Sequence, residues 1–404
     1  MKYSVIENTL LFVLVIMMML VPTSYMIIKL AIIIILILIN SIKHRYKAKA
    51  YSNIFYGIFI LIVLSGCWSL CNAGLKGSMS TDEMIKVLPF LVIWPFLYLL
   101  MIPYMSGQGR IDECLNLLVT SHIVIVLYNF YEIIALLLGL PLLHLDEASD
   151  TFRYDENFLG IATNSMHNLI FTTPFFFVVG FAGKINKKFF YLMAALTIVV
   201  NFMTSRTALA VTNFISIAIV IFLSRKFSSF KRKSIIKFLV GVVLLGGIYA
   251  VKKIDPVYIE STMDYYMNHF DSDEDLRFEQ RKILIDKWKE APITGHGIGT
   301  KFKTSARGLT SGFESTYHAM LANNGIIGFC LFASYVFLIF YHVYKRACKE
   351  NNVFYIACLS GYFMFLVGAY SNPVMGTFDR LFPIYICLGC LYVKPEKSNR
   401  FVKT

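Results

Sequence analysis

The fold class predicted by the sequence is an all-α polytopic integral membrane protein, and three observations predict it. Hydrophobic residues make up 57% of the 404 positions and charged residues 16%, where a soluble chain carries roughly 45–50% and about 25%. The apolar residues come in blocks of about 15 to 25 rather than at the spacing of one helix face. The basic residues behind the net charge of +13 stand in short gaps between those blocks. Membrane topology explains that placement better than a nucleic-acid surface does.

Taken in order, the blocks predict about twelve spans, near residues 4–21, 24–40, 54–72, 87–104, 114–140, 161–182, 189–204, 206–223, 237–251, 316–342, 353–370 and 381–393. Pro22, Thr23 and Ser24 mark either a tight hairpin or a kink between the first two. With both termini cytoplasmic, every strongly basic short gap falls inside, as the positive-inside rule requires. These gaps hold Lys43, Arg45, Lys47 and Lys49, then Lys184, Lys187 and Lys188, then Arg225 to Lys237, then Lys345, Arg346 and Lys349, and finally the tail. The outer gaps are acid-rich, notably at Asp146, Glu147, Asp150, Asp155 and Glu156. The expected organisation is nine spans over 1–251, a large outward loop over 252–316, three spans over 317–393 and a cytoplasmic tail over 394–404.

Lys2 is the only early basic residue and a second span follows at once, so the first span reads as retained rather than as a cleaved signal. All eight cysteines lie in or beside spans, which indicates core residues and neither a disulfide framework nor a thiolate zinc site. Among ionisable groups within spans, Glu132 reads equally as a functional group or a hydrogen-bonded packing residue. Glu7 and Lys29 read as anchors near span ends, and His167 and Asn168 as satisfied core contacts or the lining of a polar cavity.

Chemistry outside the bilayer is expected in the 252–316 loop. The acidic run Asp271, Asp273, Glu274 and Asp275 suits the N-terminus of a helix from Leu276 to Glu290 that ends before Pro292. Its D-x-D spacing also occurs in metal–nucleotide sites, but nucleotide sugars are cytoplasmic and this loop is placed outside, so helix capping is favoured. At 100° per residue, Arg277, Phe278, Arg281, Leu284, Ile285 and Trp288 share one arc, with Glu279, Lys282, Asp286, Lys289 and Glu290 opposite. Two arginines on an apolar face either snorkel to lipid headgroups or grip a phosphate or pyrophosphate. After the helix, Gly295, Gly297 and Gly299 lack the strand–helix context of a dinucleotide fingerprint and read as a turn that lets backbone approach a substrate or a span.

From Arg277 to Phe329 these residues resemble the bacterial O-antigen polymerases and O-antigen ligases, membrane glycosyltransferases acting on undecaprenyl-linked sugars. The pattern is an arginine and a helix, a proline with a G-x-G-x-G turn, a polar catalytic position, and a G-x-x-G entering a span. Here those are Arg277, Pro292, Gly295 to Gly299, Glu314, and Gly325 with Gly328. TSRTALA, with Arg206, and FRYDENFLGIATNSMHNL, with Arg153 and Asn164, are further matches. The resemblance covers roughly the last two thirds of the chain; the first four spans match only in being hydrophobic.

The resemblance implies a metal-independent enzyme without a cofactor at the outer face of a bacterial inner membrane, transferring glycan from undecaprenyl pyrophosphate. Its partners would be undecaprenyl-pyrophosphate-linked oligosaccharide, the lipid bilayer, and a chain-length regulator and flippase of the same pathway, with no nucleic acid. Such chemistry needs cations on the pyrophosphate and a base for the incoming hydroxyl. Arg206, Arg277, Arg281 and Arg153 are the expected cations, Gly295, His296, Gly297 and Gly299 the substrate loop, and Glu314 the base, with His318 one helical turn on as the alternative. Ligases of the family carry His-Asn where this chain has Glu314 and Ser315, which favours a polymerase and keeps a ligase as the alternative. A twelve-span secondary transporter is the rival from another class, against which stand the single asymmetric loop and the charges gathered outside the midplane.

Overall fold

The computed structural model describes residues 5–22, 24–44, 53–106, 111–143, 145, 151–155, 158–203, 207–227, 230, 277–304, 308–310, 312–370 and 379–392. The expected ninth span at 237–251, the acidic run 271–275, and Arg206 lie outside the described residues. Helices α1 (Val5–Leu20) and α2 (Met26–His44) pack on each other, with Tyr25 between them at φ 56°, so Pro22 belongs to a hairpin and not a kink. Lys29 is fully buried, and its Nζ donates to the Val21 carbonyl at 2.6 Å, so it caps the end of α1 instead of reaching for the membrane surface.

Next come α3 (Asn53–Lys76), α4 (Thr81–Leu88), a π-helical turn at Pro89–Ile93, α5 (Trp94–Ser106) and α6 (Ile111–Leu138). A capping box starts α4: Ser80 Oγ accepts from Glu83 N, and Glu83 Oε2 accepts from Ser80 N. A hairpin of β1 (Thr151–Asp155) and β2 (Phe158–Ala162) follows, then a 3-10 turn at Asn164–Asn168, α7 (Leu169–Phe181), α8 (Lys187–Phe202) and α9 (Thr207–Lys226). After α10 (277–290) come a second hairpin, β3 (Phe302–Thr304) with β4 (Gly308–Thr310), then α11 (Thr316–Glu350), α12 (Val353–Gly368) and α13 (Phe382–Tyr392).

The helices α3, α4 to α5, α6, α9 and α11 are each long and apolar enough to cross a bilayer, and α1, α2, α12 and α13 are shorter apolar helices. The chain is a multi-pass, helical membrane protein. Every residue of α7 is buried, and α7 packs chiefly on α12 and α9. Peripheral helices instead carry large exposed apolar side chains such as Ile27, Phe214, Phe222 and Phe337, the surface that lipid would cover.

The apolar block 161–182 is not one helix. Its first residues belong to β2, and the α-helix begins only at Leu169. Thr163 Oγ1 donates to Asn129 Oδ1 at 2.6 Å, and Asn129 Nδ2 to Ser165 Oγ at 2.9 Å, so side-chain bonds to α6 replace the helical ladder there. Asn168 Nδ2 donates to the Met19 carbonyl at 2.8 Å, and Glu132 Oε1 accepts from Leu143 N at 3.0 Å. Both act as structural pins. Of the cysteines, Cys114, Cys358, Cys387 and Cys390 are buried, whereas Cys71, Cys330 and Cys348 are exposed on helix faces. The core reading thus fails for these three, because apolar sequence does not separate a helix-packed face from a lipid-facing one.

The element that positions the site is the break in α11. Gly325 has φ 62° and ψ −169°, which is not helical. The rings of Tyr317 and Phe332 lie 6.1 Å apart, although 15 residues of straight helix would separate them by about 22 Å. The chain folds sharply at Gly325 and turns its first half, 316–324, against the second.

Candidate functional site

Breaking a helix leaves carbonyls before the break and amides after it without helical partners, a costly state in a bilayer. The turn after α10 supplies them. His296 N donates to the Ala322 carbonyl at 3.0 Å and Gly297 N to the Asn323 carbonyl at 2.7 Å. In return, Ile326 N donates to the Pro292 carbonyl at 2.9 Å and Ile327 N to the Ile293 carbonyl at 3.3 Å. The approach demands glycine on both sides. A Cβ on Gly295 (φ 72°) would lie 2.5 Å from Gly325 N, and one on Gly325 would lie 2.3 Å from the Ile293 oxygen. Gly325→Ala combines a glycine-only backbone region with a backbone clash. Its expected cost is about 3 kcal/mol or more, read as a loss of folded protein in detergent and a lowered melting temperature.

On the other side of the turn, Gly297 faces Ser78 and Gly299 faces Met79, both just past α3. The G-x-G-x-G segment therefore approaches two helices. His296 Nε2 lies 2.7 Å from the Lys287 carbonyl, which can only accept, so Nε2 carries the proton and ties the turn back to α10.

Along α10, Leu284 is buried with Phe302, Phe313 and Ala322 in a small core outside the main one. Phe278, on the apolar arc of the wheel, is 63% exposed, and Gln280 is buried instead. The reason is a specific partner: Gln280 Oε1 accepts from Glu314 N at 3.1 Å. One turn earlier, Arg277 Nε donates to Glu314 Oε2 at 3.1 Å, with both side chains mostly buried. One turn after Arg277, the Arg281 guanidinium lies over the Tyr370 ring, 5.4 Å from its centroid. Both arginines thus turn toward the start of α11 and the end of α12.

Ser315 is the N-cap position of α11 and is buried. Its hydroxyl donates to the Tyr370 carbonyl at 3.1 Å, and its oxygen lies 2.6 Å from His318 Nδ1. A hydroxyl has one proton, so toward the imidazole Ser315 Oγ accepts and His318 Nδ1 donates. In the neutral ring that leaves the lone pair on Nε2. The His318 ring also meets Tyr370, centroids 5.8 Å apart. Arg277, Arg281, Glu314 and His318 are therefore gathered in one cluster, together with Gln280, Ser315 and Tyr370.

Tyr370 also closes one end of an apolar groove between the second half of α11 and α12, lined by Phe329, Phe332, Phe337, Phe340, Phe363 and Leu366 among others. Tyr317 at the same end donates its hydroxyl to the Leu366 carbonyl at 2.6 Å.

Arg153 lies in β1 opposite Gly160, and its side chain is outside the described residues. Asn164 Oδ1 accepts from Arg380 Nη2 at 3.1 Å. The sequence assigned no role to Arg380, Gln280 or Tyr370, and Ser315 entered only as the position where ligases of the family carry Asn, although a polar residue before a long apolar helix is also a capping signal. A family model described as O-antigen ligase matches residues 190–333, from α8 to the second half of α11. No curated protein matches the chain.

Proposed function

We propose, from the match of residues 190–333 to a family model described as O-antigen ligase, that the chain is an O-antigen, or surface-polysaccharide, polymerase. The growing glycan on undecaprenyl pyrophosphate is transferred to the next lipid-linked repeat at the outer face of a bacterial inner membrane. The observation that supports this reading is the convergence of two α10 arginines and the Ser315–His318 pair within one cluster. Arg277 and Arg281, with Arg206, hold the donor pyrophosphate, and its isoprenoid chain lies along the α11–α12 groove that ends at Tyr370. The acceptor hydroxyl gives its proton to His318 Nε2 as its oxygen bonds to the sugar C1. The C1–O bond to pyrophosphate breaks, and undecaprenyl pyrophosphate leaves with its charge neutralised by arginine. No metal enters this scheme. A flippase delivers the lipid-linked repeats and a chain-length regulator sets their number.

The sequence puts Glu314 first as base. The Glu314 carboxylate is engaged by the Arg277 guanidinium at 3.1 Å, so in this scheme Glu314 orients Arg277 and the proton goes to His318. An acidic residue at 314 favours polymerase over ligase. The ligase is the second reading, favoured by the lone pair on His318 Nε2, since ligases of the family use a histidine.

A gel profile of surface polysaccharide separates them. A deletion strain is expected to show a single repeat on core, restored to a ladder by the wild-type gene. Bare core with lipid-linked polymer accumulating would make the protein a ligase, and an unaltered ladder would remove both readings.

A further inference from the structure

We infer that Asn72, with Trp68 beside it on α3, is a positioning residue for this site, a role that rests on the functional reading above. Asn72 is 3% exposed, and its Nδ2 donates to two carbonyls, Thr294 at 2.7 Å and Asn323 at 2.9 Å. One belongs to the glycine turn and the other to the last residues before the break in α11. Two carbonyls on one amide group fix which end is nitrogen, and both its hydrogens are used. One helical turn earlier, Trp68 Nε1 donates to the Asn324 carbonyl at 3.0 Å. Gly328 makes room for that indole, since a Cβ there would lie 2.8 Å from Trp68 Cδ1. Just past α3, Ser78 Oγ donates to the Ile298 carbonyl at 2.7 Å and holds the far end of the turn.

These bonds fasten together the two parts that carry the chemistry. The turn continues from α10, with Arg277 and Arg281, and the half-helix 316–324 carries His318. Where the turn seats on the break sets the separation between the cations and the base. A misplacement of about 1 Å in such a constellation costs up to about 100-fold in rate. Asparagine suits the position because it offers two donors to two acceptors. Aspartate, of the same shape, would face both carbonyls with oxygen.

The test uses the full-length protein in lipid nanodiscs with a lipid-linked repeat as substrate, and compares Asn72→Ala and Asn72→Asp with wild type. Turnover is expected to fall about 10- to 100-fold, further in the Asp variant than in Ala, with KM for the lipid-linked repeat within about twofold. Hydrogen exchange at the His296 and Gly297 amides is expected to quicken by about tenfold or more in both variants. If Asn72→Asp does not fold, Trp68→Phe, which removes one donor and keeps a ring, should show a smaller loss of the same pattern. Wild-type turnover with unchanged exchange would overturn the positioning role, as would a raised KM with turnover intact, the mark of a residue that touches substrate. Wild-type protein that transfers no glycan would instead remove the functional reading beneath it.

Discussion

Arg277→Ala is expected to lower polymer formation by about 100- to 1,000-fold, the scale for removing a preorganised charge from a developing anion. A mutant of this kind should lose both donor affinity and turnover, because in the proposed scheme the guanidinium meets pyrophosphate in the bound state and more strongly as it departs. Glu314 tests the same assignment from the other side. Its Oε2 accepts from Arg277 Nε, and its backbone N–H is held by Gln280. If the carboxylate orients the arginine, Glu314→Gln keeps an acceptor of the same length and should retain activity within about tenfold, whereas Glu314→Ala falls further. The double variant Arg277→Ala with Glu314→Ala should then be no worse than Arg277→Ala alone, since the two losses concern one interaction. Initial rates on purified lipid-linked repeats measure all four proteins. Additive losses, or a Glu314→Gln protein as dead as Arg277→Ala, would return Glu314 to the role of base.

How much of this was legible in the sequence depended on whether the signal was local. The apolar blocks, the helix ending before Pro292, the glycine turn and the paired glycines at 325 and 328 all lie within a few residues of what they specify. The break at Gly325 did not announce itself. A G-x-x-G entering an apolar run reads equally as a packing motif, and only the bonds from Pro292, Ile293, His296 and Gly297 show that the helix is opened and refilled by another segment. Helical-wheel reasoning placed both arginines on one face but erred on Phe278 and overlooked Gln280, because hydropathy cannot see that a polar side chain has a backbone amide waiting for it. Asn72 and Trp68 were hidden for a related reason. They belong to a span whose sequence resembles the family only in being hydrophobic, and their partners lie more than two hundred residues away.

His318→Gln should show a turnover loss of about 100- to 10,000-fold, the range for a positioned general base, with binding of the lipid-linked donor preserved. Glutamine offers no basic nitrogen, so the loss would report the proton transfer itself. A base must be deprotonated to act, so wild-type turnover is expected to fall toward acid pH as His318 takes up its proton, and the residual rate of His318→Gln should lack that acid limb. Ser315 supplies an independent check. Its hydroxyl proton goes to the Tyr370 carbonyl, so its oxygen receives Nδ1–H and holds the tautomer that presents Nε2. Ser315→Ala removes this acceptor while leaving the ring in place, and should cost about tenfold in turnover with the acid limb still present. The Ser315 hydroxyl also ties the start of α11 to the Tyr370 carbonyl, so thermal unfolding must accompany the rates to separate a loosened half-helix from a misdirected imidazole. A His318→Gln protein that still polymerises at the wild-type rate would exclude the imidazole as base, whereas retention of the acid limb in its residual activity would assign that ionisation to another group. Either result would direct the search for the proton acceptor back to Glu314.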